Sequence, residues 1–251
     1  MVHHGGMPLA KAGRPRLHDQ RRPGTTARDE ILDAAGELFT TMGYTGTSTR
    51  TIADSVGIRQ ASLYHYFKTK DDILCALLSQ TVAPTLGFIP SLLGADPALT
   101  AAEHLHALAA FDGNQLLSGR WNLGALYLLP ELRDARLEPF WSDRERLRLH
   151  YLALSRAVID QTGVHEAAAD LPFRLVESLV NMWSVPAGPE RAELPVHVAD
   201  ACLRVLGIPD VAATGIRARS LDEMERYTRA ASDVDDVDGD VDGDPASTYP
   251  R

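Results

Sequence analysis

Cysteine is scarce in this sequence, which has 2 cysteines among 251 residues. Cys75 and Cys202 lie far apart, each within a segment of helical pattern. A disulfide between them is the alternative, but we favour two small buried thiols, because reduced cysteines in a reducing compartment behave as small apolar residues. We therefore expect a cytoplasmic protein without a disulfide framework.

Signatures of catalytic, nucleotide-binding and membrane-spanning segments are also missing. The sequence has no Walker loop and no G-x-G-x-x-G, G-x-S-x-G or H-E-x-x-H motif. His104 and His106 are two residues apart, which on a helix turns their side chains about 200° from each other, so they cannot share a metal ion. No run of eighteen apolar residues is present. We therefore expect no enzyme, cofactor, metal site or membrane partner.

The net charge of −9 is unevenly distributed along the chain. Residues 1–80 hold ten Lys and Arg against eight Asp and Glu, whereas residues 81–232 hold fourteen against nineteen. The last nineteen residues hold one arginine and seven aspartates. This asymmetry is typical of a basic nucleic-acid-binding head joined to a body that does not bind nucleic acid.

The first 24 residues are rich in Gly, Pro, His and Arg, and we expect them to form a basic disordered arm. Within this arm, Gly13-Arg14-Pro15-Arg16 is similar to the core of an AT-hook, an extended segment that fits a narrow minor groove. The alternative is a solubilising basic tail, and the sequence leaves both interpretations open.

Residues 48–67 have the pattern of two short helices joined at a glycine. Gly57 supplies the left-handed turn residue that a tight corner between helices requires. Apolar residues recur at helical spacing on both sides of it: Ile52, Ala53 and Val56, then Ile58, Leu63 and Phe67. The residues left off this apolar face are polar or basic and include no acid, which suits contact with base edges and phosphates. The pattern predicts a helix-turn-helix whose second helix enters the major groove.

Longer motifs around this corner give a resemblance to a known family. They are Gly43-Tyr-Thr-Gly-Thr-Ser-Thr-Arg50, Ile52-Ala53, Val56-Gly57-Ile58 and Ser62-Leu-Tyr-His-Tyr-Phe-Lys-Thr-Lys70. Together they resemble the DNA-binding domain of the tetracycline-repressor (TetR) family. Arg59 departs from the Ser or Thr that often opens the recognition helix in that family. Because arginine caps a helix poorly, we expect either a shifted helix start or a DNA contact from Arg59.

The resemblance and the residue chemistry together give a set of candidate DNA contacts. Gln60 is suited to a bidentate contact with adenine, and Arg50 or Arg59 to guanine or a phosphate. By resemblance, Ser48 and Thr49 contact phosphates. The full predicted set is Ser48, Thr49, Arg50, Arg59, Gln60, Ala61, Ser62, Tyr64, His65, Tyr66, Lys68 and Lys70.

Helix-start signals and the lack of strand-like alternation predict an all-α protein. Capping boxes occur at Thr26 to Asp29, Thr69 to Asp72 and Thr100 to Glu103. We predict an N-terminal three-helix helix-turn-helix domain followed by an α-helical ligand-binding and dimerisation domain. The expected boundaries are residues 1–24 for the arm, 25–85 for the DNA-binding domain, 86–208 for the helical body, and 209–251 for a short helix and an acidic disordered tail.

Two predicted helices near the end of the body, residues 170–185 and 195–206, carry unusually wide apolar stripes. In the first, Leu175, Leu179 and Met182 form one row, and Val176, Val180 and Trp183 form another. Such width suggests burial on two sides. The resemblance implies that these helices pair with their copies in a homodimer, and the alternative is one larger core.

The middle of the body is rich in aromatic residues for a chain with 6% aromatics. Apolar walls with a few polar groups are typical of ligand pockets, so we predict a small-molecule effector that is hydrophobic or aromatic. The candidate contacts are His104, Phe111, Trp121, Tyr127, Trp141 and Tyr151. The alternative is that these aromatics fill the core.

These observations favour a homodimeric transcriptional regulator that binds a near-palindromic DNA operator and is released by its effector. The resemblance implies that this regulator is a repressor. A transcriptional activator of the same family is one competing hypothesis. A ligand-independent architectural DNA-binding protein and a helical enzyme with a vestigial head are the others.

Overall fold

A computed structural model describes residues 22–95, 98–129 and 135–238 of the chain. Within these ranges the regular structure is helical and contains no strand, which confirms the all-α prediction. The α-helices are α1 Ala27–Thr41, α2 Thr49–Val56, α3 Gln60–Tyr66, α4 Lys70–Ser79, α5 Ala83–Ala95, α6 Ala101–Ser118, α7 Glu138–Thr162, α8 Leu171–Glu177, α9 Pro189–Val205 and α10 Asp210–Asp238. Shorter 3₁₀ helices occupy Leu123–Leu128, Ala135–Leu137, Glu166–Ala168 and Ser178–Ser184.

The three predicted capping boxes are confirmed at the starts of α1, α4 and α6. The hydroxyls of Thr26, Thr69 and Thr100 each accept a hydrogen bond from the backbone three residues later, and the carboxylate there accepts one from the cap backbone. Each box pairs two donors that a helix start otherwise leaves without partners.

Helices α1 to α4 pack around one small core. Ile31, Ile52, Leu63 and Ile73 contribute one side chain from each helix, and all four are fully buried. Gly57 joins α2 to α3 with φ of 80°, and its N–H donates to the carbonyl of Ala53. The predicted glycine corner is therefore confirmed, and it places α3 against α2 with one face outward.

Helix α6 is the central element of the body and packs against α5, α7, α8, α9 and α10. Most of its length is buried. Close approach of its neighbours depends on Gly113, where an added Cβ would lie 2.7 Å from Leu179 Cδ1 and 3.1 Å from Pro195 Cβ. An alanine at this position would push both neighbouring segments away from α6.

The predicted helix over residues 170–185 is wrong in detail. The α-helix ends at Glu177, and Ser178–Ser184 continue as a 3₁₀ helix. Val176 and Leu179 are fully buried in the core of their own subunit, whereas Met182 is 40% exposed. Likewise α9 begins at Pro189 after Gly188, so Pro195 lies inside the helix rather than at its start.

The C-terminal helix is longer than predicted. We expected a short helix followed by a disordered tail, but the chain is helical up to residue 238. Helix α10 runs over Asp210–Asp238 and packs on α5, α6 and α9. Its buried contacts include Ser220, which lies 2.7 Å from Nδ1 of His106, and Tyr227, whose ring centroid is 4.8 Å from that of Phe88. Residues 239–251 and the predicted arm up to residue 21 lie outside the described ranges.

The stretch Lys70–Gly94, which contains α4 and all of α5 but its last residue, is long and apolar enough to cross a membrane by length and composition alone. Half of its most apolar window is buried inside the protein, as expected for a helix of a folded core. The absence of a membrane-spanning helix therefore stays a prediction.

Candidate nucleic-acid interface and interior site

Helix α3 is held by its apolar residues and presents its polar face to solvent. Leu63 is fully buried and Phe67 is 4% exposed, whereas Tyr64 and Tyr66 are 45% and 48% exposed. Arg59 is the N-cap residue with extended backbone angles, so α3 starts at Gln60, and the Arg59 side chain makes no capping hydrogen bond. The exposed guanidinium of Arg59 is thus left beside the outer face of α3.

Three polar side chains connect α2 to α3 on this outer face. Gln60 Nε2 donates to Thr49 Oγ1 at 2.9 Å and lies 3.4 Å from Tyr64 Oη. The Thr49 and Tyr64 hydroxyls are themselves 3.2 Å apart. This network holds the Gln60 side chain in place before any base is bound, so little side-chain entropy would be lost on recognition.

Two predicted DNA contacts, Ser48 and Lys70, also have structural roles in the head. Ser48 is the N-cap of α2 and accepts a hydrogen bond from the Thr51 N–H at 3.0 Å. Lys70 Nζ donates to the carbonyls of Tyr44 at 2.8 Å and Thr47 at 2.9 Å, and it lies 4.0 Å from the centroid of the Tyr44 ring. The sequence pattern gave no sign of these lysine contacts, because the acceptors lie in the loop before α2.

The predicted DNA-contact residues lie on α2, on α3, in the loops beside them and, for Lys70, at the first position of α4. Those with exposed side chains are Ser48, Arg50, Arg59, Ala61, Tyr64, His65, Tyr66 and Lys68. Those that are half-buried are Thr49, Gln60, Ser62 and Lys70. The structure therefore brings these residues to one end of the head.

The six predicted effector contacts are not brought together in one place. Phe111 stacks on Phe88 beneath α10, with ring centroids 4.3 Å apart. Trp121 contacts α1 of the head, and Trp141 lies at the surface with 36% exposure. His104 is half-buried, and its Nε2 has no hydrogen-bond partner among the described residues.

Only Tyr127 and Tyr151 line the polar interior of the body. Tyr127 packs against Phe140 with centroids 5.4 Å apart, and its hydroxyl lies 2.5 Å from Thr81 Oγ1. Tyr151 is fully buried and donates to Asp112 Oδ2 at 2.9 Å. An interior ligand site beside these two tyrosines stays a hypothesis. The other four predicted residues do not lie at its centre.

Asp112 is the central acceptor of this interior. It is 3% exposed and also accepts from Thr85 Oγ1 at 3.0 Å. Burial raises the pKa of Asp112 to about 7, because the cost of desolvating the carboxylate outweighs the two hydrogen bonds that favour it. Burial likewise raises the pKa of Tyr151 well above its usual range.

Arg144 and Glu177 close the same interior from α7 and α8. Arg144 Nε donates to Glu177 Oε1 at 2.7 Å, and both side chains are largely buried. We call the whole group the interior polar cluster, and it consists of Thr81, Thr85, Asp112, Tyr127, Arg144, Tyr151 and Glu177. The cavity beside it measures about 10 Å³, room for about one water molecule, so a larger ligand must displace the walls.

Sequence reasoning missed Asp112, Arg144 and Glu177. These residues come from three different helices and follow no local spacing rule. The sequence carries only a weak sign of the role of Asp112. This residue directly follows the apolar run of α6, so its carboxyl group lies on a buried face of that helix.

Larger clefts lie near the C-terminal end of α6. One of about 310 Å³ is lined by Asn114, Ser118, Arg191 and Pro195 among others. A second, of about 210 Å³, lies between α1 and residues 119–123. Within the described residues, no group of three or more His, Cys, Asp or Glu is placed to hold a metal ion.

The family model described as "Bacterial regulatory proteins, tetR family" matches residues 31–77 of this chain. These residues extend from α1 to α4 and include the whole candidate nucleic-acid interface on α2 and α3. The match therefore falls on the head rather than on the body.

Similar proteins extend the comparison into the body. The crystal structure of Mycobacterium smegmatis AmtR is 54% identical, with a TM-score of 0.72, and the match covers 81% of this chain and 98% of that one. The HTH-type transcriptional repressor KstR2 of Mycolicibacterium smegmatis is 29% identical over 66% of this chain and 83% of its own length. The fatty acid metabolism regulator protein of Bacillus subtilis is 28% identical over 60% of this chain and 76% of its own.

We expect Gln60→Ala to lower affinity for the cognate operator by about 1–3 kcal/mol and to relax specificity at one base position. The reason is that alanine removes the amide that Thr49 and Tyr64 orient. Titration of operator variants by fluorescence anisotropy would measure the loss. Gln161→Ala, at an exposed position of α7, is the matched control. An operator footprint and affinity equal to the wild type would remove Gln60 from the base-reading residues.

The raised pKa of Asp112 predicts a pH-dependent stability. Between its usual value of 3.8 and about 7, the folded protein holds a proton that the unfolded chain has released. The free energy of unfolding should therefore fall as pH rises through this window, by about 4 kcal/mol in all. Asp112→Asn should abolish that fall, as measured by urea unfolding at pH 5 and pH 8.

Asp160→Asn, at an exposed position of α7, is the control for the loss of one carboxyl group. It should leave the pH dependence of unfolding unchanged. An Asp112→Asn variant with the same slope as the wild type would show that this carboxyl is ionised in the folded protein.

Proposed function

Because the chain belongs to the TetR family and is a DNA-binding transcriptional repressor, we propose that it reads its operator with α3 and the start of α2. The observation that carries this assignment is the exposed polar face on which Thr49 and Tyr64 orient Gln60. Members of the family bind operators as dimers and respond to small-molecule effectors. In this assignment Gln60 and Arg59 read bases, while Ser48, Thr49 and Lys68 contact phosphates.

Two copies of the head would occupy half-sites one helical turn apart, about 34–36 Å along the DNA. We place the DNA-binding head at residues 25–85, the body at 86–208 and the C-terminal region at 209–251. The basic arm before residue 25 would add contacts in the minor groove next to each half-site. In this proposal the protein acts in the cytoplasm, where its operator DNA lies.

The dimer surface in this proposal is the outward face of residues 171–184 and of α9. Leu171 and Met182 are 44% and 40% exposed, and Leu175 between them is half-buried. Next to this row, α9 presents the half-buried side chains of Val198, Ala201 and Val205 at helical spacing. The two rows give each subunit an apolar face that a second copy would cover.

The effector in this proposal is hydrophobic or aromatic and enters beside the interior polar cluster. Phe173 and Leu147 supply apolar walls there, while Asp112, Arg144 and Tyr127 supply polar anchors. The name of the Bacillus subtilis relative refers to fatty acid metabolism, which agrees with an apolar compound. A ligand that fits only after the walls move would favour a different separation of the heads and so lower operator affinity.

Leu175→Glu should convert the dimer into monomers, because it places a charge on the proposed dimer surface. Operator affinity should fall at least about tenfold, since each monomer reaches only half of the site. Leu149→Glu, at a 48% exposed leucine of α7, is the matched control. Leu179 is unsuitable for this test, because it is fully buried against Gly113 within its own subunit.

Sedimentation velocity would measure the subunit mass of both variants. A Leu175→Glu protein that remains dimeric would show that another surface joins the subunits. A wild-type protein that is monomeric at micromolar concentration would contradict the dimer itself.

A thermal-shift screen of fatty acids, sterols and aromatic acids tests the effector. A compound present at 100 times its dissociation constant should stabilise the protein by about 2.7 kcal/mol and release operator DNA. Tyr127→Phe should weaken a hydrogen-bonding hit about three- to tenfold, because it removes the inward hydroxyl. Tyr227→Phe, in the separate aromatic group under α10, should leave it unchanged. Hits confined to small polar compounds with neither a long alkyl chain nor an aromatic ring would overturn the proposed ligand class.

A further inference from the structure

The DNA-binding head is joined to the body at a buried carboxylate on α1. The side chain of Asp33 is 11% exposed. Its Oδ1 accepts from Arg120 Nη1 at 3.0 Å and from Trp121 Nε1 at 3.0 Å, both of which belong to the body. Its Oδ2 accepts from Arg22, which precedes α1, at 2.8 Å. One acid thus receives donors from the body and from the chain entering the head.

The surface of α1 is shaped to receive the Trp121 ring. A Cβ added to Gly36 would lie 2.9 Å from Trp121 Cδ1, so a larger residue there would force the ring away. The Arg120 guanidinium lies over the same ring, 4.9 Å from its centroid. The indole is therefore held by shape, by its N–H group and by a stacked cation together.

The segment that carries these two residues is also fixed to the opposite part of the body. Asn122 Nδ2 donates to the carbonyl of Val180 at 2.9 Å. A Cβ added to Gly124 would lie 2.2 Å from Val180 Cγ1, so the backbone approaches this side chain as closely as glycine allows. Val180 lies in Ser178–Ser184, the 3₁₀ helix that also carries Met182 of the proposed dimer surface.

We propose that Asp33, Arg120 and Trp121 are positioning residues for operator binding, and that residues 120–124 couple the orientation of the head to the dimer surface. This inference rests on the proposed recognition of one operator by two heads. Because α1 packs on α2, a rotation of α1 against the body also moves α3. Contacts at Asp33 then fix the distance between the two reading helices before DNA is bound.

Because Asp33 has several partners, we expect that its contact with the body can be weakened without unfolding the protein. Arg22 would still pair with Asp33 after Arg120 is replaced, so no buried charge would be left alone. The Arg120 side chain is 55% exposed, so solvent screens its attraction to Asp33. The hydrogen bond from the Trp121 indole N–H and the packing of its ring form a second part of this contact, which is less exposed to solvent. A test should therefore change both residues.

The experiment compares Arg120→Gln, Trp121→Phe and the double variant with the wild-type full-length protein. Arg120→Lys keeps the charge and serves as the conservative rescue. Arg156→Gln is the matched control, because Arg156 pairs with Glu166 at a similarly exposed site away from the head. A spin-labelled residue in place of Met42, which is 57% exposed at the end of α1, reports the distance between heads by pulsed electron paramagnetic resonance.

We expect the double variant to broaden the distance distribution in the free dimer and to restore the wild-type distance on operator DNA. Its operator affinity should fall about three- to tenfold, because the heads lose their preorganisation. The slope of log affinity against log salt concentration should not change. Arg120→Lys should lie between the wild type and Arg120→Gln, and Arg156→Gln should match the wild type.

Two outcomes would overturn the inference. A double variant with wild-type distances and wild-type affinity would show that the Asp33 contacts do not set the head orientation. Lower affinity with unchanged distances and a salt slope reduced by about one would show that Arg120 contacts a phosphate directly. A wild-type protein that does not bind DNA with two heads is a different result, because it would remove the proposed function itself.

Discussion

The arrangement of the body depends on the burial of α6 on several sides. A helix in this position has no solvent-facing stripe, so its polar residues must find partners on neighbouring helices. Asp112 is bonded to Tyr151 of α7 and Thr85 of α5. His106 lies 3.1 Å from Asp200 of α9, and burial lowers its pKa. These few buried hydrogen bonds determine which face of each neighbouring helix turns toward α6. Apolar packing alone would define these orientations less strictly.

The parts of the fold that the sequence predicted are those determined by local chemistry. A threonine hydroxyl caps the helix that it precedes, and Gly57 has a backbone conformation that other residues rarely adopt. The outer face of α3 was predictable for the same reason, because its apolar residues recur at helical spacing.

The interior site and the end of the chain depended on contacts between distant residues. Arg144 and Glu177 meet from α7 and α8, and no pattern along the chain announces their pairing. The fully helical course of α10 was missed because its apolar residues, Ile216, Met224 and Tyr227, are sparse among charges. These few residues are sufficient to hold α10 in place because α5, α6 and α9 together form an apolar surface for them. The sequence of α10 alone does not reveal that surface.

The Lys70 ammonium has a consequence for the way in which operator DNA is released. By donating to the carbonyls of Tyr44 and Thr47, it fastens the loop before α2 to the first turn of α4. The start of α2 and the outer face of α3 therefore belong to one rigid piece. Any change in the body that tilts this piece would therefore weaken its predicted phosphate contacts and its predicted base contacts together.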